Sequence, residues 1–341
     1  MGGSFKTKMY MVRGATMVGS PSLSAMGVLW GIALGNHALS ASASTTLTGG
    51  TAAVPTTTAS GTFSAGSLCR VGALGDGDGN GQMYAIGTHV TTTLTLLGAM
   101  DGAPVNGAVL YPVAQIYPSS SPTSTSIVGT RFLLQTANLQ YECHGCYPMS
   151  ASLSGLNTGE RPQIEITWGV SWWRYSTATF PSAVASDTFN PSAVAAGSFN
   201  VQTVGTTTRN ARSVRGVSID CTLGIVPLPG PGGVSAYQKI VGATRTSDTI
   251  KITWTEDADT ATTSPVLPGY GTATNSKSII YTLSTTDGSS VGFKFPKVCI
   301  DSVAVQKDDG GINRLTCSGM AYTGDTSTSA LTLAAMVVGS A

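Results

Sequence analysis

The residue types that carry most protein chemistry are sparse in this 341-residue chain, which has 6 cysteines and 3 histidines. Cys143-His-Gly-Cys146 brings two thiols and an imidazole together. A structural zinc ion needs four ligands, and Cys69, Cys221, Cys299 and Cys317 supply no second pair at a usable spacing. Dithiol redox chemistry calls for a βαβ setting that is absent from the surrounding pattern. Asp76-Gly-Asp78-Gly-Asn80-Gly81 opens like a calcium loop, with oxygen ligands at alternate positions. Gly87 stands where the closing bidentate glutamate belongs, so a glycine-rich turn explains it better. Gly288-Ser-Ser290-Val-Gly292 spells the hydrolase nucleophile elbow. That motif needs a helix after the serine, and Phe293-Lys-Phe-Pro296 does not start one. Glu256, Asp257 and Asp259 read as a solvated turn rather than a carboxylate pair for glycoside cleavage. His37, His89 and His144 fall in no catalytic spacing. These readings point away from an enzyme and call for no cofactor and no metal.

Charged residues make up 10% of the chain, against about 25% in ordinary soluble proteins, and Thr, Ser, Gly and Ala fill the difference. A surface so poor in charge suits a subunit covered by copies of itself. The formal net charge of +1 leaves no basic stripe for tight nucleic-acid binding. Cys221 and Cys317 fall on the apolar parity of strands, where a reduced cysteine packs as a small hydrophobe. A reducing compartment is therefore expected.

The periodicity is that of strands. Ile164, Ile166, Trp168, Val170 and Trp172 share one parity, while Glu165, Thr167 and Ser171 share the other. Met149 to Ser154 precedes them and Gly155-Leu-Asn-Thr-Gly159 supplies the reversal, which makes a β-hairpin. The layout returns in Val303-Ala-Val305, Lys307-Asp-Asp-Gly310 and Leu315-Thr-Cys317. Gly159, Ile164 and Ile166 map to Gly310, Leu315 and Cys317 at an offset of 151. Further strands are expected at Ser67–Val71, Val90–Leu96, Ala108–Tyr111, Val217–Ile225, Ile250–Trp254, Ser278–Tyr281, Phe293–Phe295 and near Leu331–Leu333.

The chain is thus expected to be mainly β, in two tandem domains, with a short helix about 232–241 and long loops. The layout is 1–60 as N-terminal arm and loop, 61–210 as first β domain and 211–341 as second. Basic residues precede the apolar run Ala25–Leu34 as in a signal peptide, but at a distance from it. The run is too short to cross a bilayer, which takes about 20 residues. A structural arm or first strand is the simpler reading. Residues 40–60, rich in Ser, Thr and Ala, read as a loop. Pro181-Ser-Ala-Val-Ala and Pro191-Ser-Ala-Val-Ala echo one another, with Phe189 and Phe199 free either to anchor on a neighbour or to pack within the chain.

Residues 126–173 and the region from Arg212 onward resemble the major tail tube proteins of long-tailed bacteriophages. The resemblance rests on His-Gly-Cys146 leading into Met149-Ser-Ala-Ser-Leu-Ser, on Gln163-Ile-Glu-Ile-Thr-Trp168, on Arg215-Gly-Val-Ser-Ile-Asp220 and on Phe295-Pro-Lys-Val298. It implies a tail-tube-like β-sandwich or barrel whose subunits join edge to edge into rings with a β-lined channel, stacked through loops and a terminal arm. The partners implied are further copies of the chain, as a hexamer or a trimer of tandem domains, other tail proteins, and DNA in passage without specific binding, with no membrane. The place implied is the virion tail, assembled in the host cytoplasm. Trp30, Phe189 and Phe199 are the candidate self-assembly contacts. An extracellular carbohydrate-binding or adhesin module, and another phage tail or capsid decoration protein, are the alternatives.

Overall fold

The computed structural model describes residues 3–10, 35–58, 62–72, 82–118, 130–136, 139–175, 193–229, 240–245, 248–257, 276–285, 290–307, 313–322 and 332–336. The strands are β1 (Gly3–Tyr10), β2 (Gly35–Leu39), β3 (Thr45–Gly50), β4 (Pro55–Thr57), β5 (Leu68–Val71), β6 (Met83–Val90), β7 (Thr93–Leu96) and β8 (Val109–Pro112). Then come β9 (Ala114–Pro118), β10 (Thr130–Thr136), β11 (Leu139–Ser154), β12 (Gln163–Val170), β13 (Trp172–Tyr175), β14 (Val194–Thr203), β15 (Asn210–Arg212) and β16 (Val214–Thr222). The last are β17 (Ile225–Pro229), β18 (Ile240–Arg245), β19 (Thr249–Asp257), β20 (Lys277–Thr285), β21 (Ser290–Lys307), β22 (Asn313–Tyr322) and β23 (Thr332–Met336). The protein is mainly β, and no helix occurs among the described residues. The helix expected about 232–241 lies mostly outside them, and Ile240 and Val241 open β18.

One large antiparallel sheet runs in the order β1-β12-β11-β16-β19-β22-β21-β20-β14-β15. It turns over on itself. Phe199 of β14 meets Trp254 of β19 at 5.4 Å between ring centroids although three strands separate them in the sheet. Trp168, Ile219, Ile252, Trp254, Phe293 and Phe295 fill the space between the two layers. Burying such side chains contributes about 1.5–3 kcal/mol each.

The repeated hairpin is a matter of register as well as spacing. Leu153 faces Ile164 across β11 and β12, and Val305 faces Leu315 across β21 and β22. The repeat extends outward: β10 pairs with the first half of β11 as β20 pairs with the first half of β21, and β13 and β23 lie against those same halves. Both copies belong to one sheet, and the boundary expected between 210 and 211 falls inside β15.

Six strands between Thr45 and Pro112 form a closed barrel in the order β3-β4-β7-β6-β5-β8, around Leu47, Phe63, Tyr84, Leu94 and Leu110. The expectation of a loop over 40–60 is therefore corrected. Thr45-Thr-Leu-Thr48 makes a strand because threonine is β-branched; Thr45 and Leu47 face inward, and a single apolar residue on that parity leaves no hydrophobic alternation to read. The strand expected over Val90–Leu96 is broken by a turn, with Thr91 at φ 57°. The barrel sits on β20 and β21 through Leu68, Met83, Ala85, Val113 and Ile280.

Candidate functional site

The first half of β11, with β10 and β13 on its two sides, forms a three-stranded ribbon at the end of the first hairpin. Its two faces differ because side chains alternate. On the inward face Phe132 packs against Phe5 and Trp168, and farther along the same face Tyr141, Trp173 and Tyr175 pack on one another. Trp173 and Tyr175 are 42% and 62% exposed. On the other face Glu142 is buried and receives Arg131, His144 and Arg174, with Arg174 Nε 2.8 Å and His144 Nε2 3.0 Å away. The Arg174 hydrogen bond, helped by the charge of Arg131, holds the Glu142 carboxyl below the usual carboxylate range. His144 stacks on Trp172 at 4.0 Å, and Arg174 lies over the same indole.

This arrangement explains the CxxC. Gly145, at φ 58°, forms a bulge opposite β10, and Cys143 and Cys146 are both buried. His144 points to the opposite face, so thiols and imidazole do not converge. Burial pushes the Cys146 thiol up to about 12 and raises Cys143 as well, the reverse of a reactive thiolate. Among the described residues no three His, Cys, Asp or Glu side chains gather as a metal site.

A second feature is the outer face of the run β1-β12-β11-β16-β19-β22-β21. Thr167, Ser150, Thr222 and Thr249 stand opposite one another, and so do Ser218, Thr253, Ser318 and Ser302. Between these rows the charges alternate in sign, Lys8 beside Glu165 and Asp220 beside Lys251. Lys6 Nζ lies 2.6 Å from Glu165 Oε1, and that hydrogen bond lowers the Glu165 pKa. Among the described residues β1 pairs only with β12, and β21 beyond Val298 pairs only with β22, which leaves an open edge at each end of the run.

Charged groups also lie inside the molecule. Glu256 is 1% exposed because it continues the inward parity of Ile250, Ile252 and Trp254, which corrects its reading as part of a solvated turn. Burial raises its carboxyl, opposed by the nearby Arg212 guanidinium and then by the Trp254 indole. Lys277 Nζ donates to Thr203 Oγ1 at 3.2 Å. Burial, then the charge of Arg212, lowers the Lys277 ammonium. Asp257 ends β19, and Asp259 lies outside the described residues.

Of the remaining expectations, Ser290 opens β21 and its hydroxyl accepts a hydrogen bond from Arg70 Nε at 3.0 Å, tying barrel to sheet. His89 is enclosed in the barrel. Its Nδ1 accepts from the Phe63 amide and its Nε2 lies 3.0 Å from Thr57 Oγ1. Phe199 is 1% exposed and packs on Trp254 and Tyr281, which corrects its reading as a self-assembly contact: a ring in the core has no surface to offer. Trp30, Phe189 and the Asp76–Gly81 loop lie outside the described residues. The exposed pair Trp173 and Tyr175 was not singled out from sequence, although two aromatics on the parity opposite to Trp172, in Trp173-Arg-Tyr175, were the available signal. A scan against models of known protein families finds no match, and no curated protein matches the chain.

Proposed function

We propose that this chain is a structural subunit that assembles with copies of itself into rings, and that stacked rings form a tube like that of the major tail tube proteins of long-tailed bacteriophages. The tube would be the channel for DNA delivery into a host, with other tail proteins as further partners, and the subunit would have no enzymatic role. The observation that carries the reading is the run from β1 to β21, whose β1 edge and whose β21 edge beyond Val298 are open among the described residues. An open edge invites another strand, and a head-to-tail contact between unlike edges closes into a ring when the rotation per copy divides a full turn. The outer face supports the same reading. Its hydroxyls and paired charges offer no cluster of Lys and Arg, and phosphate contacts are what would hold a passing polyanion in place. Six free cysteines suit assembly in a reducing cytoplasm.

The test is negative-stain electron microscopy of the purified chain over a range of concentrations. Rings or hollow tubes are expected. Monodisperse monomers at every concentration would overturn the proposal and turn attention to glycan arrays, with Trp173 and Tyr175 as the platform to mutate.

A further inference from the structure

Glu142 faces away from the core and is nevertheless buried. It stands between Leu133 and Arg174 on the side of the ribbon opposite to Phe132 and Cys143, and its side chain is 3% exposed. The side chains that meet it there are cationic and come from all three strands. Arg131 of β10, at the register shift between Thr130 and Phe132, gives Nη2 to Oε1. His144 of β11 places Nε2 3.0 Å from the same oxygen, and Arg174 of β13 gives Nε to Oε2 at 2.8 Å. One carboxyl group thus fixes two guanidiniums side by side. The stacking of His144 on Trp172, with Arg174 over the same indole, holds the set against rotation. The donors are not used up, because a guanidinium has more N–H groups than one carboxylate oxygen can accept. Glu142 engages one nitrogen of each arginine, while the Arg131 and Arg174 side chains stay 52% and 61% exposed. Nor is the charge balanced: two guanidiniums face one carboxylate, and Leu133 and Trp172 beside them carry none.

We propose that this fork binds a phosphate group, whose oxygens accept hydrogen bonds from the outward N–H groups of Arg131 and Arg174 together. A planar guanidinium pairs with phosphate through parallel hydrogen bonds, and a tetrahedral phosphate offers oxygens to both arginines at once. Glu142 is a positioning residue. By holding the two guanidiniums in place, it removes in advance the side-chain freedom that binding would otherwise cost. The site is complete within one chain and does not rest on self-association. Its arginines belong to β10 and β13, outside the run whose outer face carries paired charges. Free phosphate and the phosphodiester of a nucleic acid share this chemistry, and the test separates them.

The test is equilibrium dialysis of the full chain against radiolabelled inorganic phosphate and, separately, against a labelled thymidine dinucleotide whose phosphate is a diester, at constant ionic strength in chloride. Saturable binding is expected. Tighter binding of inorganic phosphate assigns the free anion, and tighter binding of the dinucleotide assigns a nucleic-acid backbone. Arg174→Lys keeps the charge but loses the planar fork, and is expected to weaken binding about tenfold. Glu142→Gln separates organisation from charge. It makes the face more positive yet releases both arginines, so binding is again expected to fall, by about tenfold. The control Lys251→Gln, which removes a cation from the outer face of β19, is expected to bind like the parent. If neither ligand binds the parent, the proposal is overturned. It is overturned equally if Glu142→Gln binds as tightly as the parent or more tightly, the result that attraction by charge alone would give. Where Glu142→Gln lowers the melt, Arg174→Lys decides: an unchanged affinity in that variant overturns the proposal.

Discussion

Lys294 sits at 1% exposure between β21 and the barrel, where its ammonium donates to the Gly66 carbonyl. Burial lowers its pKa to about 8 from 10.5. Between those values the unfolded chain binds more protons than the folded one, so this side chain's contribution to stability rises with pH across that window. The shift corresponds to about 3 kcal/mol withheld at neutral pH. Urea titrations of the parent and Lys294→Met at pH 7 and pH 10.5 should therefore differ by about 3 kcal/mol more in the parent's favour at the higher pH. A difference that stays flat would mean the ammonium is solvated. Leu223, 5% exposed, gives a harsher test of the sandwich core. Leu223→Asp buries a carboxylate without a partner and is expected to abolish the cooperative melt. A melt like the parent's would put this residue on the wrong face. Thiols report the same packing: five of the six cysteines are buried and Cys299 is half-buried. A colorimetric thiol reagent should titrate about one thiol per folded chain and all six after denaturation.

Elements were legible where parity was clean and misread where a bulge interrupted it. Ile164 to Val170 announces β12, and the repeat at an offset of 151 announces β22, because each carries alternating apolar residues against one buried layer. β21 reads from sequence as two short strands flanking Pro296, yet it is one strand of 18 residues. The proline is accommodated where the register with β20 shifts, between Phe295 and Val298, so no ladder hydrogen bond is asked of it. Thr91 hid a turn for the opposite reason, since a β-branched residue at positive φ gives no Gly or Asn signal. The candidate surface was hidden more deeply. Parity gives the face that Glu256 and Trp173 point to, but whether that face is covered follows from how far the layers overlap, which local pattern does not encode. Gly169 shows the same limit. Its place in β12 favours valine by propensity, but the Tyr147 ring lies 2.4 Å from where a Cβ would stand. Gly169→Val is thus expected to destabilise by about 1–3 kcal/mol, measured by chemical denaturation. A stabilised variant would mean that Tyr147 swings free.

At the scale of the whole molecule, β1 is the element whose place depends least on its neighbours in sequence. It pairs along the full length of β12 from Gly3 opposite Val170 to Tyr10 opposite Gln163. Side chains reinforce the pairing: Phe5 meets Phe132 edge-on at 5.1 Å, and Trp168 Nε1 donates to Thr7 Oγ1 at 2.9 Å. Removing residues 1–60 would also remove β3 and β4 and open the barrel, so it cannot separate an arm from the fold. Removing residues 1–10 can. That variant leaves the indole of Trp168 without its acceptor and bares the edge of β12, each a cost of about 1–3 kcal/mol. A lowered melting temperature with retained β circular dichroism is expected, together with binding of a synthetic peptide of residues 3–10 that restores the melt. The peptide matters because it separates two meanings of the loss. Restoration in trans means that β12 is an acceptor edge able to take a strand from outside its own chain. An unaltered melt without residues 1–10 would mean that β12, rather than β1, is the true edge of the folded subunit.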